Sequence, residues 1–443
     1  ILTSQLEAKY DLTVYAMERS GVLEVGFAYN PDLYDRETVE AWTRQYESLL
    51  RQVVEAPEKP VNGYSLVTAD VRRLLPDPAW PMPRPYKPTV ARQFLETAAR
   101  LPQAHAVIQE EAAWTYQQLE TASARIALAL LDAGCKPGCV VALPGARSFA
   151  FVAGVLGIFR ARGVLLILDP AAPGARIREI ATLSAIERVL LPGQPESDTP
   201  QLPDGLPRTT VRVSGAEEAL SEAERVRLEA VGEPAGPDRA YLFFTSGTTG
   251  RPKGIVGNHQ GLGHFIDWER SLLGACEADR VAQLTGFSFD VILRDLFLPL
   301  ASGASLCLPP SGMASHEPGT LEWIRTSGIT ILHTVPSMAQ TWLAARTGAT
   351  GIASLRHTLF AGEPLQSSLV QRWRSDINPH GTIHNLYGAT ETTLAKCHFA
   401  VPDHPFEGIQ PVGHPMPECQ ALVMGPGNRV CGVGEFGEIV LRT

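Results

Sequence analysis

Tyr241, Leu242, Phe243 and Phe244 run without a break into Thr245, Ser246, Gly247, Thr248, Thr249 and Gly250, and the stretch closes on Lys253 and Gly254. The first four residues read as a buried strand. The closely spaced glycines let the backbone turn tightly, so that N–H groups converge on an anion. Thr245, Ser246, Thr248 and Thr249 add hydroxyl donors, and Lys253 adds a positive charge. The pattern predicts a phosphate-holding loop. It is not the G-x-x-x-x-G-K-[ST] loop, because Pro252 precedes the lysine and Gly254 follows it. An arbitrary short Gly/Ser/Thr run would be a turn with a surface lysine. Here the run extends from 245 to 254 behind a strand, which favours the phosphate.

The surrounding pattern alternates helices and strands. Residues 90–99 and 116–133 have helical spacing, and 140–143 and 164–168 read as strands. That alternation predicts an α/β fold with a layered, mostly parallel sheet. At 443 residues the chain is long enough for more than one domain. With 44% hydrophobic and 19% charged residues it has the balance of a soluble globular protein. The net charge of −9, without a basic stripe, argues against nucleic acid as a partner. The most apolar run, 149–159, is fenced by Arg147 and Arg160. It is far shorter than the ~20 residues of a membrane span. No signal peptide is visible. The seven cysteines form no metal-binding pattern, and Cys135 and Cys139 are the closest pair. Reduced, buried thiols in a cytoplasmic protein are expected. Ile1 rather than Met opens the chain, and Thr443 closes it without a terminal signal. It reads as a piece of a longer polypeptide.

Three segments are predicted: 1–65, a linker at 66–88, and 89–443. In the first, residues 12–17 and 23–29 read as strands. Residues 35–54 carry Val39, Trp42, Tyr46, Leu49, Leu50 and Val53 at helical spacing. One helix and a few strands do not complete a core by themselves. Six prolines between 76 and 88 make that stretch a stiff extended connector. Residues 193–238 read as irregular. No internal repeat is visible.

The string 241–254 resembles the phosphate loop of adenylate-forming enzymes. Further islands fit the same family in the same order: Trp114 to Glu120, Arg160 to Pro170 (with Arg162 where glycine is usual), Phe287 to Ile292, Phe360 to Pro364, Asn385 to Thr392 and Gly437 to Val440. Together they resemble the adenylation domain of a nonribosomal peptide synthetase. Tyr10 to Thr13 and Tyr29 to Thr38 resemble the C-terminal end of a condensation or heterocyclisation domain. The family's catalytic His-His motif is absent from this chain, so the segment is expected to be a docking shelf without condensation chemistry.

The resemblance implies roles. Asp290 grips the substrate α-ammonium, although an acid at a helix start could equally be a cap. Gly362 and Glu363 lie against adenine and ribose. Asn385, Tyr387 and Gly388 belong to the same nucleotide motif, with Tyr387 offering adenine a flat face. Thr390 offers its hydroxyl to the α-phosphate, and Glu391 offers Mg²⁺ an oxygen ligand. Thr390, Glu391 and Lys253 are the implied catalytic residues. Ala389 stands where proline is usual. Carried over position by position, the substrate pocket comprises Asp290, Val291, Arg294, His333, Leu359, Ala361, Leu386, Leu394 and Ala395. It resembles seryl-activating pockets, except that Arg294 replaces an aromatic residue and Ala361 a small polar one. Arg294 could pair with Asp290, attract a second carboxylate on the substrate, or form a surface ion pair with Asp295. His333 could read a hydroxyl or be a satisfied core histidine.

The implied reaction joins an amino acid to ATP, with Mg²⁺, as aminoacyl-AMP. The acyl group then passes to a phosphopantetheine thiol on a carrier protein, with condensation domains as further partners. The family's later aspartate and lysine lie beyond Thr443, so the visible chain is expected to bind weakly and catalyse poorly. Two alternatives stay open: a stand-alone acyl- or aryl-CoA ligase, which residues 1–65 and Asp290 argue against, and a non-catalytic scaffold.

Overall fold

The computed structural model describes residues 10–83, 85–193, 205–246, 251–317, 319–345 and 351–443. Contacts divide the chain into two units: Pro83–Glu418, and Ile1–Met82 together with Cys419–Thr443. The second grouping crosses the boundaries drawn on the sequence at 65 and 88.

The larger unit has two sheets. A six-stranded sheet runs in the order Pro252–Asn258, Arg239–Ser246, Val164–Leu168, Val140–Pro144, Arg188–Pro192, Arg208–Val211. It is parallel except for its first pair. A nine-stranded sheet runs His414–Pro415, Cys397–Ala400, Thr382–Tyr387, His357–Ala361, Ile331–Thr334, Arg280–Ala282, Ser305–Leu308, His105–Gln109, Ala112–Thr115. Its interior is parallel and its outer pairs are antiparallel. The predicted helices are present as Val90–Arg100 and Tyr116–Asp132. Each opens on a threonine that satisfies an otherwise unpaired backbone N–H. Thr89 accepts from Arg92, and Thr115 forms a capping box with Gln118. The apolar run 149–159 lies in helix Phe149–Arg160, whose residues 151–159 are all buried. Phe159 stacks on Phe297 with ring centroids 5.5 Å apart. A helix apolar on every side has to be wrapped by protein. Among the described residues no helix is long and apolar enough to cross a membrane.

Two details differ from the sequence reading: part of 193–238 is regular, and one cysteine is exposed. The stretch 193–238 contains strand Arg208–Val211 and helix Glu222–Val231, which opens on a Ser221–Glu224 capping box. Arg162 adopts a left-handed φ of 56°, which accounts for the usual glycine there. Its guanidinium lies 3.0 Å from Asp238. Six cysteines are buried but Cys276 is exposed. Cys135 and Cys139 have their Sγ atoms 3.5 Å apart.

In the smaller unit, strands Leu12–Arg19 and Val22–Tyr29 form a hairpin closed by Ser20 and Gly21. Both turn residues have positive φ (52° and 75°), as a two-residue type I′ turn requires. Helix Arg36–Glu55 is capped by Asp35 and packs Tyr46 edge-on to Phe27, with centroids 5.9 Å apart. Strand Gln420–Gly425 lies between Arg429–Val430 and Glu438–Arg442. The buried Gln45 side chain ties the helix to this part by donating to the Val433 carbonyl at 2.9 Å.

Candidate active site

Strand Arg239–Ser246 carries Thr245 and Ser246 to its end, and strand Pro252–Asn258 returns antiparallel beside it. The register sets Lys253 directly opposite Thr245. Pro252 and Gly254 therefore belong to a strand rather than to the loop. Gly247, Thr248, Thr249 and Gly250, and the side chain of Ser246, lie outside the described residues. Lys253 Nζ is 3.3 Å from Glu391 Oε1, and both side chains are largely exposed. The loop cation and the carboxylate expected to hold Mg²⁺ thus share one place. The fold places them together through a single 3-10 turn, Thr390–Thr392.

Asp290 lies just before helix Ile292–Ser302 and is 5% exposed. The helix has no side-chain cap, so capping is not the role of Asp290. Burial pushes its carboxyl pKa up, while the Leu394 N–H, the Arg294 charge and the Thr390 hydroxyl work in the other direction. Its Oδ2 has no partner. The Leu394 N–H is brought to it by a strained turn: Thr393 and Leu394 have φ of 65° and 58°. For a β-branched residue that conformation costs about 1–2 kcal/mol. Gly388 makes the turn possible. A Cβ there would sit 2.3 Å from the Leu394 oxygen and 2.5 Å from Ala395 Cα.

Side chains alternate along strands Ile331–Thr334, His357–Ala361 and Thr382–Tyr387. The register aligns His333, Leu359 and His384 in one row, and Ala361 with Leu386 in the next. Leu332, Phe360 and Ile383 point the other way into the core. The pocket positions Leu359, Ala361 and Leu386 therefore share one sheet face with His333. Asp290, Val291 and Arg294 come from the segment that opens helix Ile292–Ser302. Leu394 and Ala395 follow the strained turn and are buried.

The alternatives left open for two pocket residues are narrowed. Arg294 is buried at 2% exposure, so its 4.0 Å approach to Asp295 is not a surface ion pair. His333 is fully enclosed and uses both ring nitrogens. Nδ1 is 2.9 Å from Asp295 Oδ1, and Nε2 is 3.2 Å from Glu269 Oε1. Burial opposes its charge, but Glu269 and Asp295 outweigh that, and its pKa is raised.

Some nucleotide-motif side chains have internal partners. Glu363 accepts from the Ser337 N–H at 2.8 Å and its hydroxyl at 2.7 Å, anchoring the start of helix Pro336–Ala344. Gly362, with φ of 83°, makes the preceding turn. Buried Asn385 donates to the Pro411 carbonyl at 2.8 Å. Tyr387 keeps an exposed ring at the end of its strand. Ala389 is extended, with φ of −134°, outside the range proline allows.

Glu269, Asp295 and a histidine row were not singled out from the sequence. Glu269 did leave a signal. It falls in helix His259–Leu273 on the spacing of buried Leu262, Phe265, Ile266 and Leu273, an acid on an apolar stripe. The row runs across three strands: His357 Nδ1 is 3.1 Å from His384 Nε2, and His384 Nδ1 is 2.8 Å from His398 Nε2. The free nitrogen of His357 meets the Leu273 carbonyl. That acceptor fixes the tautomers along the row: His398 donates to His384, which donates to His357. Among the described residues no cluster of three or more His, Cys, Asp or Glu is arranged to hold a metal. Mg²⁺ requires less, since it takes one or two carboxylates plus phosphate oxygens, and Glu391 fits that need.

Residues 94–443 match the family model of the AMP-binding enzymes, and residues 2–75 match that of the condensation domain. The chain belongs to the AMP-binding enzyme family. Its arrangement is that of a nonribosomal peptide synthetase adenylation domain preceded by a condensation-domain segment. Surfactin synthase subunit 1 of Bacillus subtilis is 29% identical over 437 residues, covering 98% of this chain and 12% of that protein. The L-2-aminoadipate reductase of Schizosaccharomyces pombe is 30% identical, covering 95% of this chain and 32% of that protein. The chain thus spans a minor part of these relatives. In structure it is similar to holo-AB3403, a four-domain nonribosomal peptide synthetase bound to AMP and glycine. The TM-score is 0.80 at 22% identity, covering 98% of this chain and 31% of that one. At that identity the likeness concerns the fold.

Proposed function

We propose that this chain is the amino-acid-activating part of an assembly-line enzyme of the cytoplasm. It forms an aminoacyl adenylate and hands the acyl group to the phosphopantetheine thiol of a carrier protein. The segment matching the condensation domain serves as a docking shelf. When bound, ATP with Mg²⁺ supplies the α-phosphorus that the substrate carboxylate attacks, with pyrophosphate leaving. The chain's own residues position and neutralise. Lys253 and the 245–250 loop hold phosphate oxygens, Glu391 holds the metal, and Tyr387 supports the base. Thr390 stands between the two halves of the site, its hydroxyl beside Asp290.

The observation that carries this reading is Asp290. A carboxylate buried to 5% exposure with one oxygen unpartnered needs a cation. The substrate α-ammonium provides one. Leaving a buried charge without its partner costs about 3–5 kcal/mol, enough to discriminate against acids that lack the amine. The side chain favoured is small and polar, serine-like. ATP–pyrophosphate exchange over a panel of amino, aryl and fatty acids tests the reading. Amino-acid-dependent exchange is expected, and Asp290→Ala is expected to abolish that dependence. Exchange with aryl or fatty acids alone would instead identify a CoA-ligase-type enzyme. No nucleotide binding at all would identify a scaffold.

A further inference from the structure

Cys135 and Cys139 flank the turn between helix Tyr116–Asp132 and strand Val140–Pro144. Their Sγ atoms stand 3.5 Å apart, against about 2.05 Å in a disulfide. The residues between them preset that approach. Pro137 has a fixed φ, Gly138 takes a left-handed φ of 84°, and the Cys139 N–H donates to the Lys136 carbonyl at 3.0 Å. The Gly138 N–H donates to the Arg162 carbonyl at 2.8 Å, which holds the turn in place. The paired strand Arg188–Pro192 supplies a cation. Arg188 donates to the Ala133 carbonyl at 2.6 Å and to the Thr209 hydroxyl at 3.2 Å. Its guanidinium also reaches the Cys135 sulfur. The donating Cys139 thiol, and after it Arg188, draw the Cys135 pKa down against burial. Cys139 is raised by the same bond and then by burial. Cys307, 2% exposed in the core, is instead pushed up to about 11 by burial. The pair lies shallower, at 8% and 5% exposure, under a turn whose Lys136 and Pro137 are exposed.

We propose that Cys135 and Cys139 form a peroxide-oxidisable dithiol, a modification site that closes reversibly as an intramolecular disulfide between helix Tyr116–Asp132 and strand Val140–Pro144. The inference is independent of the assignment of Asp290. Arg188 makes Cys135 the attacking sulfur, since a neighbouring cation favours the thiolate, which is the nucleophile. The Cys135 thiolate attacks one oxygen of hydrogen peroxide. The S–O bond forms, the O–O bond breaks, and the departing hydroxide takes a proton to become water. Cys139 then attacks the sulfur of the resulting sulfenic acid. The S–S bond forms, the S–O bond breaks, and the second hydroxide leaves as water with the Cys139 proton. Two thiols and one peroxide thus give one disulfide and two waters, with two electrons passing from sulfur to peroxide. A dithiol reductant returns two electrons and two protons and is itself oxidised to a disulfide. Closure ties the end of the helix to the start of the strand and removes the negative charge that faces Arg188. The preset turn makes the second step intramolecular and therefore fast.

The test is mass spectrometry of the folded 443-residue chain, fully reduced, freed of reductant and exposed to hydrogen peroxide, with the remaining thiols then alkylated. Trypsin leaves both cysteines on one peptide, 126–147, because Pro137 protects the Lys136 bond. That peptide is expected to lose two hydrogens and its capacity for alkylation at least ~10-fold faster than Cys307 reacts. Dithiothreitol is expected to restore two alkylatable thiols. Cys139→Ser is expected to leave a sulfenic acid at Cys135 that dimedone traps, and Cys135→Ser to leave at least ~10-fold less at Cys139. Melting curves verify that both variants are folded. In the parent chain, a peptide 126–147 that stays alkylatable at both cysteines, closes no faster than Cys307 reacts, or closes only after urea has unfolded the protein would overturn the inference whatever the variants do. Equal trapping in the two folded variants would overturn the assignment of Cys135 as the attacking sulfur.

Discussion

Gly388 shows how one residue governs the candidate site. Its missing side chain admits the backbone of 394–396, whose left-handed turn aims the Leu394 N–H at Asp290. The atoms a Cβ would meet are all backbone and cannot step aside. Gly388→Ala is therefore expected to lower stability by about 1–3 kcal/mol, as overpacking does. A shifted denaturant midpoint at constant slope would register it; an unchanged midpoint would contradict the packing described. Lys253 is the opposite case. Its pair with Glu391 is largely exposed, and such pairs contribute at most about 1 kcal/mol. Lys253→Ala is expected to leave the melting temperature nearly unchanged while weakening ATP binding at least ~10-fold, which equilibrium dialysis with labelled nucleotide would detect. The glycine-threonine loop and Asp290 stood out in the sequence because their residue types are unusual in context. The partners of His333 did not, because Glu269 and Asp295 are 64 and 38 residues away along the chain.

At the scale of elements, the face shared by strands His357–Ala361, Thr382–Tyr387 and Cys397–Ala400 carries the histidine row beside the candidate pocket. Burial, followed by the neighbouring histidine charges, lowers the pKa of His384 to about 3. Burial lowers that of His259 to about 4. For such groups the folded pKa lies below the unfolded value of about 6.5. Their neutral forms cost nothing above that value. As pH falls below it, only the unfolded chain takes up protons, and stability is lost until the folded pKa is reached. Each group is expected to remove about 2 kcal/mol between pH 6.5 and pH 5. Urea titrations across that range measure the slope, which His384→Gln is expected to reduce by one proton; an equally steep slope in the variant would clear His384 of this role. Strands such as 140–143 and 164–168 were legible from their apolar runs. The row was not, since lateral register is not written in any one strand.

At the scale of the molecule, the six- and nine-stranded sheets and the described hydrophobic clusters fall within 83–418. Residues 83–418 expressed alone are therefore expected to fold and melt in a single cooperative transition by calorimetry; a broad, non-cooperative melt would show that the smaller unit is needed to complete the core. Periodicity in the sequence was sufficient to specify an α/β chain, the helices at 90 and 116 and two strands ahead of helix Arg36–Glu55, while the family came from the resemblance of the motifs. Those features are local, set within a dozen residues by side-chain alternation, capping and glycine. Only the tertiary structure decided that Arg294 is buried, that His333 is held between two acids, that Glu363 anchors a helix, and that residues 419–443 pack with 1–82. These outcomes depend on which distant segments meet and which charges lose water together. Burial and charge pairing arise when the chain closes on itself, and no window of sequence contains both partners.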